Sequence, residues 1–211
     1  MSIKLVIFDL DGTLVDSSAD VVDCFKYAFE KEGLEPLSED EIKPTIGYPL
    51  KEVLGRYGDA ERMHANFIEK AKIIMGDKTE LLPGACEALE EIHKRGINIA
   101  IATTKIRQNT RRIIQKLGID KYIGELSGAD DVKKVKPAPE ALIRLLDYYK
   151  VNKNQAIMVG DTINDILAAR NAGVRCAAVM GGFDPIEKIK QAKPEWIIES
   201  TTELLDIISN E

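Results

Sequence analysis

Apolar positions along this chain follow two periods. Leu5-Val6-Ile7-Phe8, Ile97-Asn98-Ile99-Ala100-Ile101-Ala102 and Ala156-Ile157-Met158-Val159 are near-continuous apolar runs closed by polar or glycine residues. Such runs predict strands covered on both faces, as in a parallel sheet. Shorter runs near 123–127, 174–179 and 196–198 extend the set. Between them the spacing turns helical: a segment opened by Pro83 with Ala85, Leu89 and Ile92 on one face, then about 107–117, 138–149 and 163–172, with a closing helix from about Thr201. Strands alternating with helices of this length predict βαβ units, a parallel sheet and right-handed crossovers, hence an α/β fold.

The first crossover departs from that rhythm. Ser17 or Ser18 is placed to cap a helix carrying Val21, Val22, Phe25, Ala28 and Phe29 and ending at Gly33. Ser38 with Glu41 fits a capping box, Pro49 opens a helix with Leu50, Val53 and Leu54, and Met63, Phe67, Ala71 and Ile74 form another stripe. No strand is expected across about 16–82. The economical account is a catalytic core of residues 1–15 and 83–211 with an α-helical cap, 16–82, docked as a lid over the sheet edge.

Composition narrows the function classes. A chain of 211 residues, 45% hydrophobic and 30% charged, is an ordinary globular chain. The net charge is −6 and dispersed, which argues against a nucleic-acid or membrane partner. Cys24, Cys86 and Cys176 are widely separated and odd in number, so free thiols are expected rather than a zinc site or a disulfide framework. With no leader-like or membrane-length segment, a cytoplasmic location is the expectation.

Chemistry concentrates where the strong strands end. The first run ends in Asp9 and Asp11, which period-two geometry aims the same way. Ligand crevices in open parallel sheets lie at that end of the strands. Thr103 and Thr104 follow the second run, and Gly160-Asp161 the third. Lys136 precedes Pro137 and Pro139 at a helix start and supplies a positive charge. Carboxylates, hydroxyls, a lysine and helix N-termini together describe a phosphate site neutralised by a divalent cation. Without the cation, an aspartate facing a phosphate is repelled by on the order of 4 kcal/mol per charge pair at about 4 Å and intermediate dielectric. Each residue also has a structural reading: Asp9 and Asp161 as helix N-caps, Asp11-Gly12 as a turn, Thr103 as a strand-end cap, Lys136 as part of a solvated run with Lys133 and Lys134, and Asp165 as a surface residue.

Four segments in order resemble the motifs of the haloacid dehalogenase superfamily: Asp9-Leu10-Asp11-Gly12-Thr13, Thr103-Thr104-Lys105, Lys136-Pro137, and Gly160-Asp161-Thr162-Ile163-Asn164-Asp165. The chain is most similar to its helical-cap, phosphoglycolate-phosphatase-like subgroup. The resemblance implies a Rossmann-like doubly wound parallel sheet and a Mg2+-dependent phosphomonoester hydrolase acting on a small phosphorylated metabolite, with phosphoglycolate the leading candidate. It implies Asp9 as the nucleophile forming an aspartyl-phosphate, Asp11 as acid and then base, and Thr103 and Lys136 gripping phosphoryl oxygens. Magnesium would be held by Asp9, Asp161 and the backbone carbonyl of Asp11, with Asp165 contributing directly or from behind.

Gly12, read as the turn that lets the backbone approach phosphate, together with Thr13 and Thr104 completes the expected substrate contacts on the core. The segment Ile46-Gly47-Tyr48-Pro49-Leu50-Lys51 resembles the family's cap loop, so Gly47, Tyr48 and Lys51 are expected at substrate, with Arg56 a weaker anion partner and a plain interhelical loop as the alternative. His64 and His93 read as structural. Competing functions are a sugar phosphomutase (beta-phosphoglucomutase-like), a phosphonatase, a phosphoaspartate receiver domain and a phospho-metabolite-binding regulator without turnover. The second carboxylate, Asp11, argues against a dehalogenase. A monomer or homodimer is equally compatible.

Overall fold

The computed structural model describes residues 2–211. In chain order its elements are β1 (Leu5–Phe8), β2 (Val15–Asp16), α1 (Ser18–Lys31), α2 (Glu39–Ile42), α3 (Leu50–Leu54), α4 (Ala60–Ile74), β3 (Glu80–Leu81) and α5 (Ala85–Lys94). There follow β4 (Asn98–Ala102), α6 (Arg107–Lys116), β5 (Glu125–Ser127), α7 (Glu140–Tyr149), β6 (Ala156–Gly160), α8 (Ile163–Ala172), β7 (Arg175–Val179), α9 (Ile186–Ala192), β8 (Trp196–Ile198) and α10 (Leu204–Ser209).

Six strands form one parallel sheet in the order β5-β4-β1-β6-β7-β8. β1 is central, with Leu5 opposite Asn98 of β4 on one side and Ala156 of β6 on the other. The strand alternation divides the core. Val6, Phe8, Ile99, Ile101, Ile157 and Val159 pack on one face with Leu89 of α5, Ile113 of α6 and Leu204 of α10. Leu5, Ile7, Ala100, Met158 and Cys176 pack on the other with Leu142 of α7, Ile166 of α8 and Ile189 of α9. Apolar runs at period one are what a sheet covered on both faces requires. The chain crosses to opposite sides of β1 to form β4 and β6, so the crevice at their carboxyl ends is the topological switch point.

The helical segment is interrupted, contrary to the expectation of no strand across 16–82. β2 and β3 pair antiparallel, Val15 opposite Leu81 and Asp16 opposite Glu80, so the chain leaves for the helices and returns from them side by side. Two-residue strands have no period to read, and their pairing joins positions far apart in sequence. Within the helices, Phe25 of α1 meets Phe67 of α4 edge to face, ring centroids 5.4 Å apart. The capping box at Ser38 forms as expected, with the Glu41 carboxylate accepting from the Ser38 N–H and hydroxyl. The α9 helix had no counterpart in the periodicity reading, and Cys86 is only half-buried whereas Cys24 and Cys176 are buried; all three thiols are free. Among the described residues, no helix is long and apolar enough to cross a membrane.

Candidate active site

Three adjacent strand ends deliver the site. Asp9 follows β1, its N–H donating to the Val159 carbonyl at 2.8 Å, and Asp161 follows β6. Thr103 follows β4, its N–H donating to Ser127 at 3.0 Å and its hydroxyl accepting from the Lys105 N–H at 3.1 Å. Carboxylate oxygens of Asp9, Asp161 and Asp165 lie within 4.8 Å of one another, all buried. Lys136, from the loop before α7, places Nζ 2.8 Å from Oδ1 of Asp9 and 2.6 Å from Oδ1 of Asp165.

One ammonium is thus set among three buried acids. Burial, together with Asp165 and Asp161, holds the Asp9 carboxyl well above the usual range despite Lys136. Burial and then Asp165 push Asp161 up to about 7, against the opposing pull of the Phe183 N–H, the Thr13 hydroxyl and Lys136. Burial would depress Lys136, but the carboxylates of Asp165 and Asp9 outweigh it and raise the ammonium above its ordinary value. Excess buried negative charge on hard oxygen donors is what a divalent cation such as Mg2+ relieves, so the donor set fits one. Asp9 and Asp161 would hold it. Asp165 has both oxygens committed: Oδ1 to Lys136, and Oδ2 to the Thr162 N–H (3.0 Å) and hydroxyl (2.7 Å) in a capping box that starts α8. The N-cap of α8 is therefore Thr162 rather than Asp161.

Asp11 stands apart from this group. Its Oδ1 accepts from the Ser17 hydroxyl, and Oδ2 lies 3.3 Å from Nζ of Lys105. Ser17, expected as a helix cap, makes no such cap bond and serves Asp11 instead. Asp11 also faces a cleft of about 410 Å³ between the helical segment and the core, lined among others by Phe25, Tyr48, Phe67, Met75, Thr104 and Asn109. Lys105, within the second motif but not singled out from it, is thus part of the site.

Several of the residues expected at substrate also have partners within the scaffold. Gly12 has φ 81°, and a Cβ there would sit 2.2 Å from Oδ2 of Asp161. Its N–H donates to the Val15 carbonyl, and glycine here lets the backbone approach the Asp161 carboxylate. Thr13 is buried and donates its hydroxyl to Asp161 Oδ1 at 2.9 Å. Gly47, Tyr48, Lys51 and Thr104 do line the cleft. Gly47, however, rests against Thr162, where a Cβ would meet Cγ2 at 2.8 Å, and its carbonyl accepts from the Asn164 amide at 3.2 Å. Tyr48 donates its hydroxyl to Asp184, 3.0 Å from each carboxylate oxygen. Lys51 is exposed and paired with Glu61 at 2.8 Å, and Arg56 is exposed outside the cleft.

The loop after β7 contributes residues that sequence reasoning missed. The Phe183 N–H donates to Asp161 Oδ2 at 2.8 Å, and a Cβ on Gly182 would sit 2.3 Å from both Cβ and Oδ2 of Asp161. Asp184, buried, accepts the Ile163 N–H at 2.8 Å besides Tyr48. Gly181-Gly182 directly after a strand end was the available signal for a close backbone approach.

The sequence model of the haloacid dehalogenase-like hydrolase family matches residues 6–179. A pyrophosphatase PpaX from Halalkalibacterium halodurans is 31% identical over 210 residues, covering 99% of this chain and 98% of its own length. A phosphoglycolate phosphatase from Vibrio parahaemolyticus is 31% identical over 220 residues, covering 98% and 96%. A solved haloacid dehalogenase-like family hydrolase from Streptococcus pneumoniae superposes with a TM-score of 0.89 at 25% identity, covering 97% of this chain and 98% of that one.

Proposed function

The chain belongs to the haloacid dehalogenase-like hydrolase family, and from that membership we propose that it is a Mg2+-dependent phosphomonoester hydrolase working through an aspartyl-phosphate. The observation that carries this reading is the division between the two acids of the first motif. Asp9 sits in the buried carboxylate group on Lys136, while Asp11 faces the cleft on Lys105. One carboxylate is placed to attack and the other to exchange protons with what occupies the cleft.

In the first half-reaction a carboxylate oxygen of Asp9 bonds to phosphorus as the bond to the leaving oxygen breaks. Asp11 donates its proton to that oxygen. In the second, water attacks phosphorus, Asp11 takes its proton, and the acyl phosphate opens to inorganic phosphate and free Asp9. Lys136 fixes Asp9 through one oxygen and offers positive charge to the phosphoryl group, and the Thr103 hydroxyl at the end of β4 would donate to it as well. A cation held by Asp9 and Asp161 would offset the repulsion between carboxylate and phosphate. The helices between β2 and β3, within residues 16–82, serve as a cap that closes the cleft from water.

Phosphate release over a panel of sugar phosphates, nucleotides, phosphoglycolate and pyrophosphate, with Mg2+ and with a chelator, tests the proposal. Phosphoglycolate and pyrophosphate belong in the panel because relatives carry those names. Release with Mg2+ and none with chelator is expected; absence of release from every compound would refute it.

A further inference from the structure

Beyond the reaction class, the cleft carries information about the leaving group, an inference that rests on the phosphatase reading above. We propose that this enzyme selects phosphomonoesters whose leaving alcohol is uncharged and apolar in body and bears one hydrogen-bonding group, which the Asn109 amide reads.

Three observations support it. The wall facing Asp11 is built from apolar side chains: Val21, Phe25, Ile46, Leu50, Phe67 and Met75 all line the cleft. At about 410 Å³ the space would hold on the order of a dozen waters, far more than a two-carbon acid or a second phosphate displaces. The lysines of the wall are not poised for an anion. Lys105 is partly buried and held against Asp11 at 3.3 Å, Lys51 is exposed on Glu61, and Lys133 is exposed. A carboxylate or second phosphate on the leaving group would have to shed water against hydrocarbon without a free buried cation, which is costly. His64, also on the wall, has its imidazole pKa lowered by burial and by Lys51.

Asn109 supplies the hydrogen-bonding part of the proposal. It sits in the first turn of α6, 3% exposed, on the cleft wall, and its side-chain amide has no hydrogen-bond partner among the described residues. The amide is not among the fully buried unpaired side-chain atoms, so it stays open to the cleft, where a ligand group can replace the water that would otherwise pair it. It offers both a donor and an acceptor, matching a hydroxyl or carbonyl on an otherwise apolar alcohol.

The test is a substrate series on the wild-type enzyme with Mg2+: n-alkyl phosphates from ethyl to hexyl, their ω-hydroxy counterparts, phosphoglycolate and pyrophosphate. We expect kcat/KM to rise roughly three- to fourfold per methylene over the first few carbons. Hexyl phosphate should exceed phosphoglycolate. Asn109→Leu, close in volume, should lower kcat/KM for the best ω-hydroxy ester roughly fivefold relative to its plain alkyl partner. A flat response to chain length, or a lead for phosphoglycolate or pyrophosphate, would overturn the inference while leaving the phosphatase reading intact. An unchanged hydroxy-to-alkyl ratio in Asn109→Leu would overturn the role of Asn109. No turnover of any ester would overturn both readings together.

Discussion

The ammonium of Lys136 lies 2.6 Å from Oδ1 of Asp165, with both side chains buried. The same nitrogen is 2.8 Å from Asp9, so Asp165 positions the lysine that holds Asp9. Its other oxygen starts α8 by pairing with Thr162. Asp161 differs: its oxygens accept from Thr13 and Phe183, and among the described residues it has no ammonium within ion-pair distance.

Asp161 and Asp165 should therefore fail differently when each is changed to Asn. Asp161→Asn removes a cation-holding carboxylate and is expected to raise the Mg2+ concentration for half-maximal activity by more than about tenfold. Asp165→Asn is expected to lower kcat while shifting that concentration less than about threefold, because ligand-orienting partners act on geometry and on Lys136 first. Magnesium titration of phosphate release distinguishes the two, and equal shifts would make Asp165 a direct ligand.

Much of this site was readable from the strand ends. Asp9, Thr103 and Asp161 occupy the carboxyl ends of β1, β4 and β6 because near-continuous apolar runs can only be doubly covered strands, and polar residues must begin where the cover stops. Less readable was what each polar group spends its bonds on. Thr13 and Gly12 lie in the first motif yet serve Asp161, and Asp184 reaches the site from a loop after β7. Such pairings depend on the fold closing, and no local period reports them.

Tyr48, on the cleft wall, donates to Asp184 and so joins the helical segment to the core. Burial, then Asp184, raises the Tyr48 phenol above its ordinary range, so it remains a donor at neutral pH. Tyr48→Phe keeps the ring and deletes this bond, a loss of about 1 kcal/mol. If closure of the cap depends on it, KM should rise several-fold with kcat changed less than twofold, and Asp184→Asn should follow the same pattern. Steady-state kinetics on one small ester reads both; unchanged KM in both variants would make the contact dispensable for closure.

Stability of the metal-free protein should depend on pH through the buried acids. Asp161 is raised from 3.8 to about 7 in the fold, so its folded form binds protons more readily than its unfolded form. That contribution is fully present below about pH 4 and is lost as pH rises through about 7, a change of a few kcal/mol. Asp9, also raised, acts in the same sense. In chelator, the melting temperature of wild type relative to Asp161→Asn should fall between pH 5 and 8, and Mg2+ should restore more at pH 8 than at pH 5. Thermal unfolding at four pH values checks this; a constant difference between the two proteins would contradict it.

Asp9 is expected to carry the phosphoryl group during turnover. Wild-type enzyme and Asp9→Asn, each quenched in acid during turnover of one ester with Mg2+ and reduced with borohydride, should be compared by peptide mass spectrometry. The reduction converts an aspartyl-phosphate to homoserine, so homoserine at position 9 of the wild type, with none in Asp9→Asn and no turnover by that variant, is the predicted result. Homoserine at another aspartate, or full turnover by Asp9→Asn, would contradict it.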